Sequence, residues 1–198
     1  MNQFWNQRYK EEAFAYGTQP NAFLYAQLQD LKPGKILFPC EGEGRNSVYA
    51  ASLNWEVEAF DFSEEGQRKA YQLADSKKVK IHYQVADALK VSYPEEHFDA
   101  IVLIYSHFPE PIRKSIHHRM ISWLKPGGRL ILESFRPNQL NNTSGGPKDI
   151  SMLCTAEILT DDFADLETII MEQKIITLDE GPFHQGKAEV MRYVGIKK

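Results

Sequence analysis

The chain has 198 residues and a mass of 22.8 kDa, a size typical of one domain with a real hydrophobic core. Its formal net charge of -4 excludes a global basic field of the kind that attracts nucleic acid. No apolar run approaches the ~20 residues that span a bilayer, and the opening MNQFWNQRYK lacks the apolar core of a secretory signal. Cys40 and Cys154 stand far apart, so we expect reduced thiols in a cytoplasmic protein, with neither a disulfide nor a metal site.

Short apolar runs alternate with helical patterns along most of the chain. Residues 1–31 hold aromatic-rich helical segments and are predicted to form an amino-terminal cap on a core at 32–198, all within a single domain. The alternation that follows implies right-handed crossovers and a parallel sheet with helices on both faces. The predicted strands are 35–39, 56–60, 80–85, 99–104 and 129–135, and the predicted helices are 46–53, 64–76 and 110–124.

The alternation breaks near the end of the chain. Strand-like runs at 173–178 and 189–196 are joined by DEGPFHQGKA, which predicts a closing β-hairpin with at least one antiparallel strand. Before them, PNQLNNTSGGPK at 137–148 predicts a long loop, whose Gly145–Pro147 segment is either a flap that closes on binding or a plain connector. The predicted fold is α/β, Rossmann-like and doubly wound, with a seven-stranded, mostly parallel sheet.

A glycine turn follows the first strand, in ILFPCEGEGRNSVYAA. Gly42 and Gly44 would let the backbone turn sharply and approach a ligand where a Cβ would block it. The turn lacks the full G-x-G-x-x-G of a dinucleotide site. Asp61 ends the second strand 17 residues after Gly44, near the ~20-residue interval at which a carboxylate meets ribose hydroxyls. The alternative is that Asp61 caps the next helix, although Ser63 is the more natural N-cap.

The charge of the turn favours a cationic ligand. Glu41 and Glu43 would repel the pyrophosphate of NAD, whereas a ligand with a sulfonium and an ammonium would tolerate them. Arg45 would pair with the carboxylate of that ligand or with a nearby glutamate. The turn therefore favours S-adenosylmethionine over NAD, unless both glutamates are merely solvated surface residues.

Nearly the whole chain resembles class I methyltransferases, and more narrowly their tellurite-resistance and thiopurine-methyltransferase-like branch. The resemblance lies in PCEGEGRNSVYAA, AFDFS, VADALK, FDAIVLIYSHFP and LKPGGRLILESF, with WNQRYKEEAFAYGTQPNAFL and EGPFHQGKAEVMRYVGIKK at the two ends. It implies S-adenosylmethionine as cofactor, with Asp87 near the adenine amino group and the aromatic Tyr16 of the cap nearby. The other cofactor contacts that it implies are Cys40, Glu41, Gly42, Gly44, Arg45, Asp61, Phe62, Ala88 and Tyr105.

The sequence departs from the family pattern at the end of the first strand. Phe38 replaces the usual acidic residue, and Cys40 replaces the first glycine of the turn. We expect Glu41 to supply the missing carboxylate near the amino group of the cofactor.

The acceptor side has weaker signals. His107 follows the fourth strand beside Tyr105, where it is either the catalytic base or a packing residue. His184, in the hairpin turn, resembles a family position that faces the acceptor pocket. Trp5, Arg8 and Tyr9 lie on the cap, either as a lid over the acceptor or as ordinary packing. His117 and His118 fall in mid-helix and are expected to be exposed.

Three rival functions remain open. An NAD-linked oxidoreductase is disfavoured by the acidic turn, and a non-catalytic S-adenosylmethionine-binding protein would lack an acceptor pocket. A nucleic-acid methyltransferase would usually carry an N/D-P-P-Y/F tetrapeptide where this chain reads IYSHFP. We therefore expect a small-molecule acceptor, a thiol, metalloid or other soft nucleophile above all, with no nucleic-acid or membrane partner and a monomeric or homodimeric state.

Overall fold

The structure is a computed structural model that describes residues 2–198. Seven strands form one sheet, in the order β3 (His82–Val85), β2 (Glu56–Asp61), β1 (Lys35–Pro39), β4 (Phe98–Ile104), β5 (Leu124–Phe135), β7 (Gln185–Lys197) and β6 (Leu166–Asp179). The residues fall into two compact units, Met1–Ser92 with Glu180–Phe183, and Tyr93–Asp179 with His184–Lys198. That the chain forms a single domain stays a prediction.

The first unit contains the cap and the first three strands. Asn21 and Ser63 begin helices α2 and α4, because their side chains accept hydrogen bonds from free amides of the first turn. Strand β1 pairs in parallel with β2, and β2 with β3. The elements are α1 (Asn2–Tyr9), α2 (Ala22–Gln29), β1 (Lys35–Pro39), α3 (Arg45–Ser52), β2 (Glu56–Asp61), α4 (Glu64–Lys77) and β3 (His82–Val85).

The second unit contains the remaining four strands. Strand β4 is an almost fully buried apolar run, as expected of a strand covered on both faces, and it pairs in parallel with β5. Strand β7 runs antiparallel to both β5 and β6. The elements are β4 (Phe98–Ile104), α5 (Glu110–Trp123), β5 (Leu124–Phe135), α6 (Ala156–Asp162), β6 (Leu166–Asp179) and β7 (Gln185–Lys197), with 3-10 helices at Pro137–Asn141 and Ile150–Met152.

The fold class and the closing hairpin predicted from the sequence are confirmed. Strand β6 begins seven positions earlier than predicted, at Leu166 rather than residue 173, because its exposed residues show no clean alternation. The predicted loop at 137–148 in fact begins with a 3-10 helix. Buried Gln139 stabilises the rest of it, since its Nε2 donates to Ser144 Oγ and to the Gly145 carbonyl at 3.0 Å each. Across residues 2–198, no helix combines the length and apolarity that crossing a membrane requires.

Candidate active site

The elbow between β1 and α3, residues 40–44, is a tight left-handed turn. Cys40, Gly42 and Gly44 all have positive φ, at 54°, 62° and 87°. A Cβ on Gly42 would lie 2.7 Å from the hydroxyl of Tyr9, and one on Gly44 would lie 2.6 Å from the Cβ of Ala70. Glycine is therefore required at both positions by backbone conformation and by space.

Glu41 closes the elbow by capping α3. Its Oε1 accepts hydrogen bonds from the backbone amides of Asn46, at 3.0 Å, and Ser47, at 2.7 Å. Burial raises the pKa of Glu41 to about 7, against the lowering effect of these bonds. The carboxylate is thus an integral part of the turn, and the alternative of a solvated surface residue is wrong for Glu41.

Glu43 is also buried, with only 4% of its surface exposed. Its Oε1 lies 2.6 Å from Lys69 Nζ, and its Oε2 accepts a bond from the Ala15 amide at 2.8 Å. Lys69 also donates to the carbonyls of Glu11 and Ala13. The solvated alternative is wrong for Glu43 as well, because the ion pair joins the elbow to α4 and both of its residues bind the backbone of the cap segment. Since Lys69 compensates its charge, Glu43 adds little to a negative elbow.

Asp61 joins the end of β2 to the elbow. Its Oδ2 accepts a hydrogen bond from the Gly42 amide at 3.1 Å, and its Oδ1 accepts one from the Ser63 amide at 2.9 Å. Burial raises its pKa to about 6. Ser63 is the N-cap of α4, as its Oγ accepts from the Gly66 amide at 3.0 Å. Asp61 therefore stands beside the glycine turn, and its contact with ribose hydroxyls stays a prediction.

Aromatic side chains of the cap cover the elbow. The rings of Trp5 and Tyr9 stack with centroids 5.5 Å apart, and Tyr16 packs against both. Burial, together with nearby Asp61, raises the pKa of Tyr9 well above its usual value. Arg8 donates to the Tyr16 hydroxyl at 3.1 Å and lies 3.9 Å above the ring of Phe183. The structure thus brings together the four residues predicted for the cap next to the elbow, Trp5, Arg8, Tyr9 and Tyr16.

Arg45 presents an unused donor in this unit. Its Nη2 lies 2.9 Å from Oε2 of Glu180, which comes from the hairpin turn, and both side chains are largely buried. Its Nη1 is buried and has no hydrogen-bond partner within residues 2–198. A buried guanidinium N–H without an acceptor is costly, and a bound carboxylate would remove that cost. The residues present therefore fit a ligand with an anionic end.

Sequence reasoning missed two residues of this site. Glu180 lies 135 positions after Arg45, and only the turn character of its segment was visible. Tyr83, on β3, donates its hydroxyl to the Gly42 carbonyl at 2.7 Å. Asp87, Ala88 and Phe62 are the remaining residues of this unit that were predicted near the cofactor. Asp87 accepts a bond from the Leu89 amide at 2.8 Å and is half-buried, Ala88 is buried, and Phe62 is half-buried between Asp61 and Ser63.

In the second unit, residues from three chain segments form one aromatic cluster around Phe135. Tyr105, with φ of 53°, stacks on Phe135 at 4.6 Å and donates its hydroxyl to Glu133 at 2.8 Å. His107 stacks on the same ring at 5.7 Å. The imidazole of His184 meets Tyr105 edge-on at 4.8 Å. The structure therefore brings together the two predicted catalytic histidines and Tyr105.

His107 is poised as a neutral hydrogen-bond acceptor. Its Nδ1 lies 3.1 Å from the Met152 carbonyl, and because a carbonyl only accepts, Nδ1 carries the proton. Its Nε2 then has a lone pair, and that atom is buried without a partner in the described part of the chain. Burial, with a contribution from His184, lowers the pKa of His107 to about 4. The imidazole is neutral at pH 7.

The expectation for His117 is wrong, whereas His118 is exposed as predicted. His117 is 1% exposed, and its Nδ1 lies 2.8 Å from Asp162, which also accepts from Arg113 at 2.9 Å. This network joins α5 to α6, so His117 is a structural residue. Within residues 2–198, no group of three or more His, Cys, Asp or Glu could hold a metal ion.

The segment that contains the elbow matches a known protein family. Residues 36–128 match a family described as a methyltransferase domain. This match indicates a methyltransferase. This match includes β1, the elbow, Asp61 and the strand before Tyr105.

Solved structures share the fold of this methyltransferase. One, from work on the conversion of a disulfide bond into a thioacetal group during echinomycin biosynthesis, has a TM-score of 0.81 at 17% identity over 100% of this chain and 92% of the other. TehB from Haemophilus influenzae has a TM-score of 0.75 at 18% identity, with coverages of 100% and 67%. A SAM-dependent methyltransferase from Methanosarcina mazei has a TM-score of 0.71 at 20% identity, with coverages of 90% and 98%.

At these identities the structural likeness establishes the fold alone. No curated protein matches the chain significantly. The domain match and the neighbours together indicate a methyltransferase with S-adenosylmethionine as its cofactor.

Proposed function

We propose that this enzyme transfers a methyl group from S-adenosylmethionine to a small-molecule acceptor with a soft nucleophilic atom, such as a thiol or a metalloid. The observation that carries the proposal is the unpartnered, buried Nη1 of Arg45 beside the glycine elbow. In this proposal Arg45 binds the carboxylate of the donor, Glu41 lies near its ammonium, and Asp61 accepts bonds from its ribose hydroxyls.

The contacts of Glu41 argue against an NAD-linked oxidoreductase. The N-terminus of α3 is the position at which a dinucleotide pyrophosphate binds in Rossmann folds. Here the Glu41 carboxylate already accepts the amides of Asn46 and Ser47. A pyrophosphate would have to displace that carboxylate or bind against its charge, whereas a phosphate-free donor would not.

The proposed methyl transfer requires the protein mainly to align the donor with the acceptor and to exclude water. The donor, when bound, supplies an electrophilic methyl carbon on a sulfonium. The Nε2 lone pair of His107 accepts the proton that the acceptor loses as it is methylated. A base whose pKa is about 4 suffices for this role, because a protonated sulfide or ether is a far stronger acid. His184, which packs edge-on against Tyr105 and Phe135, faces the acceptor as the second catalytic histidine of this proposal.

The finer assignments belong to the same proposal. The resemblance of the elbow and hairpin motifs, together with the TehB likeness, supports the tellurite-resistance and thiopurine-methyltransferase-like branch. Trp5, Arg8 and Tyr9 form a lid over the acceptor, and Tyr16 lies near the cofactor. The two free cysteines suit a reducing compartment, so we place the enzyme in the cytoplasm.

Calorimetric titration with S-adenosylmethionine, S-adenosylhomocysteine and NAD tests the donor. We expect binding of the first two and none of NAD, and failure to bind either sulfur compound at millimolar concentration would refute the donor site. A turnover screen over thiols, metalloid oxyanions, phenols and amines tests the acceptor. Donor binding without turnover on any class would favour the non-catalytic alternative instead.

A further inference from the structure

Strand β6 is an exposed edge of the sheet. It is 14 residues long and lies at the end of the strand order, where it pairs with β7. Most of its residues are solvent-accessible, including Ile169 at 49% and Ile175 at 60%. A long edge strand with exposed apolar side chains offers unpaired backbone groups to another strand, so proteins normally block or cover such edges.

The charges at the middle of β6 are complementary to those of a second β6 related by a two-fold axis. Facing residues of an antiparallel pair lie on the same face of the sheet, so a symmetric pair must be centred on a residue. Centring on Glu172 places two glutamates opposite each other, and centring on Lys174 places two lysines together. Centring on Gln173 instead sets Glu172 of each copy opposite Lys174 of the other, which gives two cross-strand ion pairs.

The same register also matches the apolar residues. With Gln173 at the centre, Met171 faces Ile175 and Ile170 faces Ile176. The exposed Ile175 is thereby covered by an apolar neighbour. The register of β6 shifts between Thr168 and Ile170, so the regular overlap runs from residue 170 to residue 176.

We propose that β6 is a homodimer interface, in which two copies of the chain pair antiparallel through this strand with Gln173 at the two-fold axis. Within one copy, Lys174 Nζ and Glu172 Oε2 lie 3.5 Å apart, and both side chains are about half exposed. Both side chains are therefore accessible and can form ion pairs with the partner copy instead. The proposal concerns the second unit only and does not depend on the proposed reaction.

Sedimentation equilibrium between about 1 and about 200 µM tests the proposal through charge exchange. The wild-type protein should dimerise. Glu172→Lys alone and Lys174→Glu alone should each weaken dimerisation at least about tenfold, because like charges then face each other twice. The double variant Glu172→Lys/Lys174→Glu should regain the wild-type affinity. An equimolar mixture of the two single variants should form heterodimers, since every facing pair is then of opposite charge.

Lys148→Glu, an exposed position of the second unit outside β6, is the matched control and should dimerise like the wild type. Circular dichroism of each variant checks that it remains folded. A monomeric wild type over the whole concentration range would overturn the proposal. Single variants as dimeric as the wild type, or a mixture without heterodimers, would equally overturn it.

Discussion

The proposed position of Glu41 beside the donor ammonium predicts that donor binding is coupled to the removal of a proton. With its pKa raised to about 7, most of this carboxyl is protonated at mildly acidic pH. A donor whose ammonium lies beside it binds best to the ionised form. Affinity for S-adenosylmethionine should therefore rise with pH, and Glu41 should release up to one proton for each donor bound at acidic pH.

The size of the effect follows from that pKa. At about pH 5 roughly one Glu41 in a hundred is ionised, and at about pH 7.5 roughly three in four are. Complete linkage therefore raises the affinity by up to about 75-fold between these two values. Asp61, with a pKa of about 6, adds up to about tenfold over the same interval if the ribose hydroxyls bind its ionised form.

Isothermal titration calorimetry at several pH values, in buffers of different ionisation enthalpy, measures both the affinity and the proton release. Glu41→Gln keeps an oxygen that can cap α3 but cannot ionise, so it should lose the larger part of the pH dependence. Glu56→Gln makes the same chemical change at an exposed site and should keep it. An affinity that does not change from about pH 5 to about pH 7.5, or an unchanged slope in Glu41→Gln, would refute the reasoning.

The raised pKa of Glu41 also makes folding depend on pH. Stability falls as the pH rises, whereas donor affinity increases. Glu41 ionises near pH 4.5 in the unfolded chain and near pH 7 in the fold, so within this window the folded protein holds a proton that the unfolded chain releases. Its contribution to stability is therefore lost as the pH rises from about 4.5 to about 7. Without donor, Glu41→Gln should show a smaller fall in Tm across this window than the wild type.

Three further predictions concern single residues. Asp61→Ala should weaken S-adenosylmethionine binding by ~1.5–3 kcal/mol, as expected for lost charge-assisted hydrogen bonds, and an unchanged calorimetric Kd would remove Asp61 from the site. His107→Ala and His184→Ala should each lower kcat on the identified acceptor while leaving the donor Kd within about twofold, so equal turnover would end either assignment. Gly42→Ala should cost roughly 1–3 kcal/mol in urea unfolding, because its φ is positive and its Cβ would contact the Tyr9 hydroxyl. Adding Tyr9→Phe should restore part of that loss, and no restoration would show that backbone strain dominates.

Local patterns predicted the part of the molecule that local physics controls. The apolar run before Gly42 and the caps at Asn21 and Ser63 depend on neighbours within a few residues. The carboxylate of Asp61 was placed correctly because the length of a β–α–β unit fixes where the second strand ends.

The errors concern residues whose partners lie far along the chain. Glu43 could be read as a solvated residue because its partner Lys69 belongs to α4, far along the chain. His117 was expected to be exposed because its partner Asp162 belongs to α6. Glu180 gave no signal as the partner of Arg45. Because Lys69 compensates the charge of Glu43, Glu41 is the elbow carboxylate whose ionisation affects the binding of a cationic donor.

The turn at Glu180–Phe183 has a consequence for biosynthesis. Its glutamate holds Arg45, and a Cβ on Gly181 would lie 2.4 Å from the Gly17 amide nitrogen, so the turn fits closely against the cap. Glu180 is translated 135 residues after Arg45. A nascent chain therefore cannot hold the guanidinium in this position before the hairpin turn has been made, and the proposed contact of Arg45 with the donor carboxylate has to wait for that turn.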